Sequence, residues 1–477
     1  MAMGRKDQDR QDVIWIAADE IVRGEGHVFY EALNNLFKRY DFDVFVEAEV
    51  EKSRVFSDGV GRPSVAPGIY FRMSLVGYFE GLSSERGVAW RCADSMALRD
   101  FLGYEMTRET PDHSTLSRWR RKLPLAVHHA VFEWVVRMSR QEGILKGRKV
   151  AIDSTTLEAN AAMKTIVRKA DGATYRQYLK KLAKAEGIDD PTPQDLQRMD
   201  RKRSGKKVSN RTWKSKTDGD ARIARLKAGN THMAYKAENA IDIESRITVA
   251  AEIHTADRGD TLTIHKTLLA ADETTMRAGV EGGIETVILD RGYHSDAVLG
   301  DLHSQGISGY VAEPKRGTRN WQRQRRRDGD EVVDERQQRY YANRRRARSE
   351  TGKQLQKKRA EFPERAFAHL KKTGGMARVF VRGRWEVGKK LQSHVSAANL
   401  GVILRALIGI GTPRSLQGRS KAFLDALFRV VSVLAGVILV ITGLLNRSRK
   451  CKRNSGHRWD SRSAMTAIPD RLLTASA

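Results

Sequence analysis

The sequence predicts an α/β protein, with a helical N-terminal domain followed by a mixed-sheet domain that carries a helical and basic insertion. Residues up to about 145 place apolar side chains at spacings of three and four, which is typical of helices. After Gly147, apolar runs with β-type patterning alternate with helical patterns. Between 158 and 230 the chain turns polar and charged, which indicates an insertion. The predicted domains are 1–145, 146–410 and 411–477.

The charge balance predicts a polyanionic partner. The 477 residues include 86 Lys and Arg against 58 Asp and Glu, which gives a formal net charge of +28. A hydrophobic content of 40% excludes a wholly disordered chain. Nucleic acid is the default partner for a folded chain with such an excess of positive charge.

The cysteines and the first residues bear on the compartment. Cys92 and Cys451 are the two cysteines, too few for a disulfide framework or a Cys-rich zinc module, and they fit a reducing cytosol. The first 25 residues carry charges throughout and no long apolar run, so we expect no secretory signal. The sequence therefore predicts a cytoplasmic protein.

The N-terminal region is predicted to be a series of short helices. Ile69, Met73 and Val76 lie on one face of the first clear helix, and Ser114 is predicted to cap the last one. The last helix is basic and carries Arg118, Arg120 and Arg121. A helix-turn-helix reader of DNA would have this organisation, and so would a small bundle with a solvated basic helix.

The middle of the chain predicts the order strand, insertion, strand, strand, helix, strand, helix, strand. In the insertion, 161–170 and 175–187 have helical spacing, and 200–216 is expected to be a basic loop. Glu244-Ser245-Arg246 is the predicted turn of a hairpin, and Asp260 is the predicted cap of the next helix.

The last third of the chain is basic and then apolar. Arginine dominates the segment 315–348 without helical amphipathicity, and a helical pattern follows at 357–375. The apolar stretch 430–445 is short for a membrane span, so we expect a buried helix, with a membrane or interfacial segment, or a read-through or degenerate tail, as alternatives. We expect the last 30 residues to be disordered.

Two acids end two of the predicted strands. Asp153 lies in VAIDSTT and Asp290 in VILDRGYHS. Neighbouring strands of one sheet can bring such ends together, and two converging carboxylates repel each other unless a divalent cation lies between them. Oxygen ligands of this kind suit Mg²⁺ or Mn²⁺. Taken singly, each acid is also a good turn or cap residue.

A third acid would complete a two-metal site. Glu364 is the best candidate, since it lies seven residues before Lys371 and therefore on the same helical face. Glu361 competes for the role. Pro363 is expected in the first helical turn, which favours Glu364 as the ordered residue. His254, Asp257 and Asp260 are interpreted as loop and cap residues.

The ordered motifs resemble those of the DDE transposases of bacterial insertion sequences. Residues 69–123, which end in PDHSTLSRWRRKL, are similar to the InsH-type N-terminal domain of that group. VAIDSTTLEANAAM, ILDRGYHS and ERAFAHLKKTGGMARVFVRG are similar to its catalytic region, and GIGTPR matches a motif that follows the core. The likeness spans roughly residues 65–420.

The resemblance implies a ribonuclease-H-like catalytic fold. It implies Asp153, Asp290 and Glu364 as catalytic residues and metal ligands, with Mg²⁺ or Mn²⁺ as cofactor. The partners it implies are double-stranded DNA, as terminal inverted repeats and target, and a second copy in a homodimeric complex, with no small-molecule substrate. The chain departs from the family pattern Tyr-x2-Arg-x3-Glu-x6-Lys, because Lys357 and Ala360 occupy the first two positions and Arg359 lies one residue away.

Basic residues in three regions are the predicted DNA contacts. They are Arg118, Arg120, Arg121, Arg325, Arg326, Arg327, Arg344, Arg345, Arg346, Arg365 and Lys371. The first group is expected to read the element's ends, and the cluster in 315–348 to contact the backbone. Two alternatives to a transposase stay open: a metal-dependent nuclease of the same fold that cuts without joining, and an inactive or domesticated DNA-binding relative.

Overall fold

The computed structural model describes residues 27–56, 64–204, 208–225, 229–315 and 319–416. The apolar stretch 430–445 and the tail lie outside the described residues, so their predictions stay untested. No helix in the described ranges is long and apolar enough to cross a bilayer.

In the described part of the chain, seven helices precede the first strand, which confirms the predicted helical N-terminal region. They are α1 (Val28–Arg39), α2 (Phe42–Lys52), α3 (Pro67–Phe79), α4 (Glu85–Asp94), α5 (Met96–Leu102), α6 (His113–Lys122) and α7 (Leu125–Gln141). Their core is aromatic, with Phe29, Phe37, Phe79 and Phe101 almost fully buried. Ser84 caps α4 by accepting a hydrogen bond from Gly87 N at 3.1 Å.

The cap of α6 is not Ser114, as predicted, but Asp112. The Asp112 carboxylate accepts from Thr115 N at 2.8 Å, and Ser114 Oγ donates to the same carboxylate. Ser114 already lies in the first turn, where its hydroxyl serves the cap instead of replacing it. The backbone hydrogen bond from Thr115 is the first cause that lowers the pKa of Asp112 to about 2.

A mixed sheet follows the helical region. Its elements and those of the insertion are β1 (Lys149–Glu158), β2 (Ile166–Arg168), α8 (Tyr175–Ala185), α9 (Pro193–Lys202), β3 (Trp213–Ser215), β4 (Arg222–Arg225), β5 (Thr231–Asp242), β6 (Thr248–Thr255), α10 (Asp260–Arg277), β7 (Thr286–Leu289), α11 (Asp296–Ser304) and β8 (Ser308–Val311). The order β4-β5-β1-β7-β8 is completed by β6, which pairs with β5. β1 is antiparallel to β5 and parallel to β7, and β7 is parallel to β8.

The predicted order of strands and helices in the sheet domain is confirmed, and the differences lie in the insertion. The stretch 161–170 is not a helix: it forms a 3-10 turn at Met163–Thr165 and then β2. β2 pairs antiparallel with β3, which lies inside the predicted loop 200–216. The β-branched residues Ile166 and Val167 favour a strand, but its partner lies more than 40 residues away.

The last third is more helical than the sequence predicts. It contains α12 (Trp321–Asp328), α13 (Asp330–Arg348), α14 (Glu350–Ala368), a π-helical turn (His369–Thr373), α15 (Arg384–Ile408) and a 3-10 turn (Pro413–Leu416). The arginine-rich segment is therefore helical. Ser349 caps α14 by accepting from Gly352 N at 3.0 Å, so the helix begins before residue 357. Pro363 consequently lies inside α14 and not in its first turn.

Helices cover both faces of the sheet. α10 packs on one face, over β5 and β6, and α15 packs against β6, where Asn399 exchanges two hydrogen bonds with the backbone of Thr248 at 2.8 and 2.9 Å. α14 packs on the other face, over β1 and β7, and its Leu355 and Phe362 contact a buried cluster that includes Ala151 and Ile288. The two faces therefore meet different helices at the ends of β1 and β7.

Candidate active site

Strand register brings Asp153 and Asp290 to the same edge of the sheet. In the parallel pair of β1 and β7, Ala151 lies opposite Ile288, and each acid comes two residues later. Side chains two residues apart on a strand share a face, so both acids lie on the face that α14 covers. Their side chains are 26% and 35% exposed, which leaves the edge open to a ligand.

An arginine of α14 joins the two acids. Arg359 Nη2 lies 2.8 Å from Asp153 Oδ1 and 3.4 Å from Asp290 Oδ2. Its side chain is only 13% exposed, and its buried Nε has no hydrogen-bond partner among the described residues. One guanidinium nitrogen thus contacts a carboxylate oxygen of each acid.

Backbone donors fix the orientation of both acids. Asp153 Oδ1 accepts from Ser154 N at 2.8 Å. Asp290 Oδ1 accepts from Gly292 N at 2.8 Å in the short 3-10 turn that follows β7. A Cβ atom at Gly292 would lie 2.6 Å from Asp260 Oδ2 and 3.0 Å from Asp290 Oδ1, so a larger residue here would push the Asp260 carboxylate aside.

The structure does not bring Glu364 or Glu361 to the pair. Both are exposed on α14, and Glu361 accepts from Arg365 at 2.8 Å. Glu364 makes no hydrogen bond or ion pair with the described residues. Five residues after Arg359, it lies roughly 140° around the helix from it. Glu364 as third acid stays a prediction.

Lys371 does reach the neighbourhood of the acids. The π-helical turn directs its Nζ to Thr155 Oγ1 at 2.7 Å. Thr155 follows Asp153 by two residues on β1 and lies on the same face. A predicted DNA contact therefore lies beside the carboxylate pair.

The donor set fits a hard divalent cation. Asp153 and Asp290 are oxygen ligands that already converge on one cationic group, which shows that they compensate a positive charge between them. Among the described residues, no group of three or more His, Cys, Asp and Glu side chains is arranged to hold a metal ion. A third ligand would come from a rearranged α14, from DNA or from water.

The opposite face of the sheet carries a buried acid that sequence analysis missed. Glu238 on β5 is fully buried and accepts hydrogen bonds from Thr263, Thr267 and Tyr293 at 2.8, 2.5 and 2.8 Å. Burial is the main cause that raises the pKa of Tyr293 well above its usual value. The signal was the spacing of Lys236 and Glu238, two charged residues two positions apart and therefore on the same face of β5.

Asp260 belongs to this second network and is not the helix cap that the sequence predicts. Gly259 occupies the N-cap of α10, and the Asp260 carboxylate accepts from Ser154 Oγ at 3.0 Å and pairs with Lys236 Nζ at 2.7 Å. A carboxylate in the first helical turn is favourable there, but these partners hold it against β1 and β5.

Of the predicted DNA contacts in α6, two face solvent and one does not. Arg118 and Arg121 are exposed. Arg120 is only 14% exposed and pairs with Glu85 at 2.6 Å and with Glu386 of α15. Arg120 therefore connects α6 to α4 and α15.

The predicted DNA contacts in α12 and α13 also divide into arginines that have partners within the protein and arginines that are exposed without a carboxylate partner in the described chain. Arg325 pairs with Asp334, Arg327 lies 2.8 Å from Asp328, and Arg344 lies 3.0 Å from Glu313. Arg346 donates from Nε to the Gly309 carbonyl at 3.0 Å. The two predicted contacts that are exposed without a carboxylate partner in the described chain are Arg326 and Arg345.

The fold and the carboxylate pair define a class of protein. A helical region followed by a mixed sheet, with two acids at adjacent strand ends under a long helix, is the architecture of ribonuclease-H-like transposases. A family model described as Transposase DDE domain matches residues 145–400, and a model described as Transposase domain (DUF772) matches residues 17–122. No curated protein matches the chain.

The chain belongs to the DDE transposase family and is a DDE-type transposase. The family match covers more than half of the chain and confirms the resemblance seen in its motifs. Members of this family are generally dependent on divalent metal ions, and the family implies DNA as substrate.

Proposed function

We propose that this transposase binds the terminal inverted repeats of its insertion sequence and catalyses metal-dependent cleavage and strand transfer at their ends. The observation that carries the proposal is the contact of Asp153 and Asp290 with the same nitrogen of Arg359. Mg²⁺ or Mn²⁺ is the proposed cofactor, since both acids offer hard oxygen ligands.

Asp153 and Asp290 are the proposed metal ligands, with Glu364 as the third acid. Such a cation supplies Lewis acidity and charge neutralisation for in-line attack at phosphorus. The Ser154 and Gly292 amides donate to the two carboxylates and orient them. Glu364 would reach the site through a change in α14, for which the π-helical turn at His369–Thr373 is a suitable hinge.

Basic side chains are proposed to bind and orient the DNA. Lys371, beside Thr155, is placed to contact a phosphate next to the scissile bond. Arg118 and Arg121 on α6 are the proposed readers of the terminal repeats, and the exposed arginines of α12 and α13 are proposed to contact the backbone. A homodimer is the proposed assembly that would hold two ends together.

Replacing either acid tests the catalytic assignment. We expect Asp153→Asn and Asp290→Asn each to lower Mg²⁺-dependent cleavage and strand transfer by at least about 100-fold. The reason is that the metal ion, which would stabilise the charge of the transition state, loses a carboxylate ligand. DNA affinity should stay equal or rise, since a negative charge facing phosphate is removed. The assay uses end DNA with a 3′-hydroxyl and a scrambled duplex of equal length.

Asp301→Asn is the matched control, because Asp301 is exposed on α11 away from the pair. It should retain wild-type cleavage and joining. Wild-type activity in either active-site variant would overturn the assignment. Cleavage without joining in the wild type would identify a nuclease, and absence of both reactions on end DNA would identify an inactive DNA-binding relative.

A further inference from the structure

Arg359 is a charged group in an unusual position for a structural ion pair. A single atom, Nη2, contacts both acids, while the buried Nε has no partner within the described chain. Arg344 of α13, by contrast, has hydrogen-bond partners for both of these nitrogens. Its Nε lies 3.0 Å from both oxygens of Glu313, and its Nη2 donates to Tyr340 Oη at 2.6 Å. The Arg359 guanidinium therefore does not form the bidentate hydrogen bonds to a carboxylate that its planar geometry allows.

The guanidinium of Arg359 occupies the place between Asp153 and Asp290 where a bound cation would lie. Two carboxylates at one sheet edge repel each other unless a positive charge lies between them. Leu355 and Phe362 pack on the sheet one turn to either side of Arg359, so the Arg359 side chain can turn away from the acids without any movement of the helix backbone. The pair is partly exposed, which gives solvent ions access.

We propose that Arg359 is a positioning residue that keeps Asp153 and Asp290 together in the metal-free protein and is displaced from them by the divalent cation. The inference rests on the proposed function of the acids as metal ligands. The two cations compete for the same carboxylate oxygens, so the arginine lowers metal affinity while it prevents the acids from separating.

Metal affinity tests this competition without any catalytic step. Mn²⁺ is titrated into the full chain without DNA, and free Mn²⁺ is measured by its paramagnetic resonance signal. We expect Arg359→Gln to bind Mn²⁺ about tenfold more tightly than the wild type. Lys358→Gln is the matched control, because it removes the same charge at the adjacent exposed position of α14 and should leave the affinity within about twofold.

Thermal unfolding provides a second readout. In the metal-free state, Arg359→Gln should have a lower Tm than the wild type, because the acids lose their cation, and Mn²⁺ should raise its Tm more than that of the wild type. Arg359→Lys keeps the charge and serves if the glutamine variant fails to fold. The Mn²⁺ affinity of Arg359→Lys should be higher than that of the wild type and lower than that of Arg359→Gln.

The outcomes separate this inference from the proposed function. If the wild type binds Mn²⁺ through Asp153 and the arginine variants bind it equally or more weakly, Arg359 is not displaced and the inference fails alone. If neither the wild type nor Arg359→Gln binds Mn²⁺, the acids are not a metal site and both proposals fail. Tighter binding by the variant, abolished by adding Asp153→Asn, supports both.

Discussion

The two faces of the central sheet hold their acids in opposite ways. On the face covered by α10, Glu238 is fully buried, and three hydroxyl groups donate to it at 2.5 to 2.8 Å. On the face covered by α14, Asp153 and Asp290 are partly exposed and share one guanidinium nitrogen. Glu238 is enclosed by buried hydroxyl groups and by Lys236 Nζ at 3.5 Å, which leaves it no room to change partners, whereas a partly exposed pair that shares one long side chain can change its partner.

The difference follows from which elements supply the partners. Thr263 and Thr267 come from α10, and Tyr293 comes from the turn after β7, so Glu238 connects the helix to two strands. A buried carboxylate must be satisfied in this way, because an unpaired one carries the full cost of desolvation. Arg359 comes from a single surface helix and lies at the open edge of the sheet.

The largest expected effect on stability is therefore on the Glu238 face. Glu238→Gln keeps the shape but removes the negative charge that faces Lys236, and it turns an amide NH₂ group toward a hydroxyl that must then accept instead of donate. We expect the free energy of unfolding to fall by about 3 kcal/mol, measured by urea denaturation. Asp153→Asn should change it by no more than about 1 kcal/mol, because the Arg359–Asp290 contact persists.

Comparable effects of both variants would break this comparison. Such a result would mean that the Asp153–Arg359 contact is as much a part of the folded core as the Glu238 network. It would also count against displacement of Arg359 by a cation.

The pH dependence of stability sharpens the comparison on the Glu238 face. His254 Nε2 lies 3.7 Å from Glu238 Oε2, yet burial, reinforced by Lys266, Lys236 and nearby arginines, lowers the pKa of His254 to about 4. The unfolded chain then binds a proton that the folded chain does not between pH 6.5 and 4. This contribution to stability is complete above pH 6.5 and is lost as the pH falls through that window.

We expect His254 to contribute a slope of about 1 kcal/mol per pH unit to the free energy of unfolding between about pH 6 and 5. His254→Gln should flatten the measured slope by that amount. His265→Gln is the control, because His265 is exposed on α10. An unchanged slope in His254→Gln would show that Glu238 keeps the histidine protonated in the folded protein.

Most of the fold could be predicted because its signals are local. The apolar runs that end at Asp153 and Asp290 have strand patterning, and they form the strands β1 and β7. The pairing of β2 with β3 could not be predicted, because it joins segments on either side of α8 and α9 and depends on tertiary contacts such as those of Trp213 with Tyr175.

The site was predictable in part for the same reason. Parallel strand ends meet at one edge, so the convergence of Asp153 and Asp290 follows from the order of elements. The partner of the pair depends on which face of α14 meets the sheet, and Leu355 and Phe362 decide this at long range. The sequence favoured Glu364 through its spacing to Lys371, but that spacing contains a π-helical turn, which changes the face on which Lys371 lies.

The arginines of α12 and α13 also differ in whether they have a partner within the protein. We expect this difference to have the smallest effect of those compared, and to affect DNA binding. Arg326 and Arg345 are exposed without a carboxylate partner in the described chain, whereas Arg325 and Arg344 pair with Asp334 and Glu313. A paired arginine must give up its carboxylate before it neutralises a phosphate, so its net contribution to DNA binding is small.

We expect Arg326→Gln with Arg345→Gln to weaken binding to end DNA and to scrambled DNA alike. The slope of log affinity against log salt should decrease in magnitude by about 2, since each substitution leaves one phosphate without its neutralising arginine. The matched double variant Arg325→Gln with Arg344→Gln removes the same charge from paired positions and should change the slope by less than about 1. Gel-shift titrations at several salt concentrations measure both slopes. Equal changes would mean that DNA separates the ion pairs of α12 and α13 on binding, and that pairing with a carboxylate does not remove an arginine from the DNA interface.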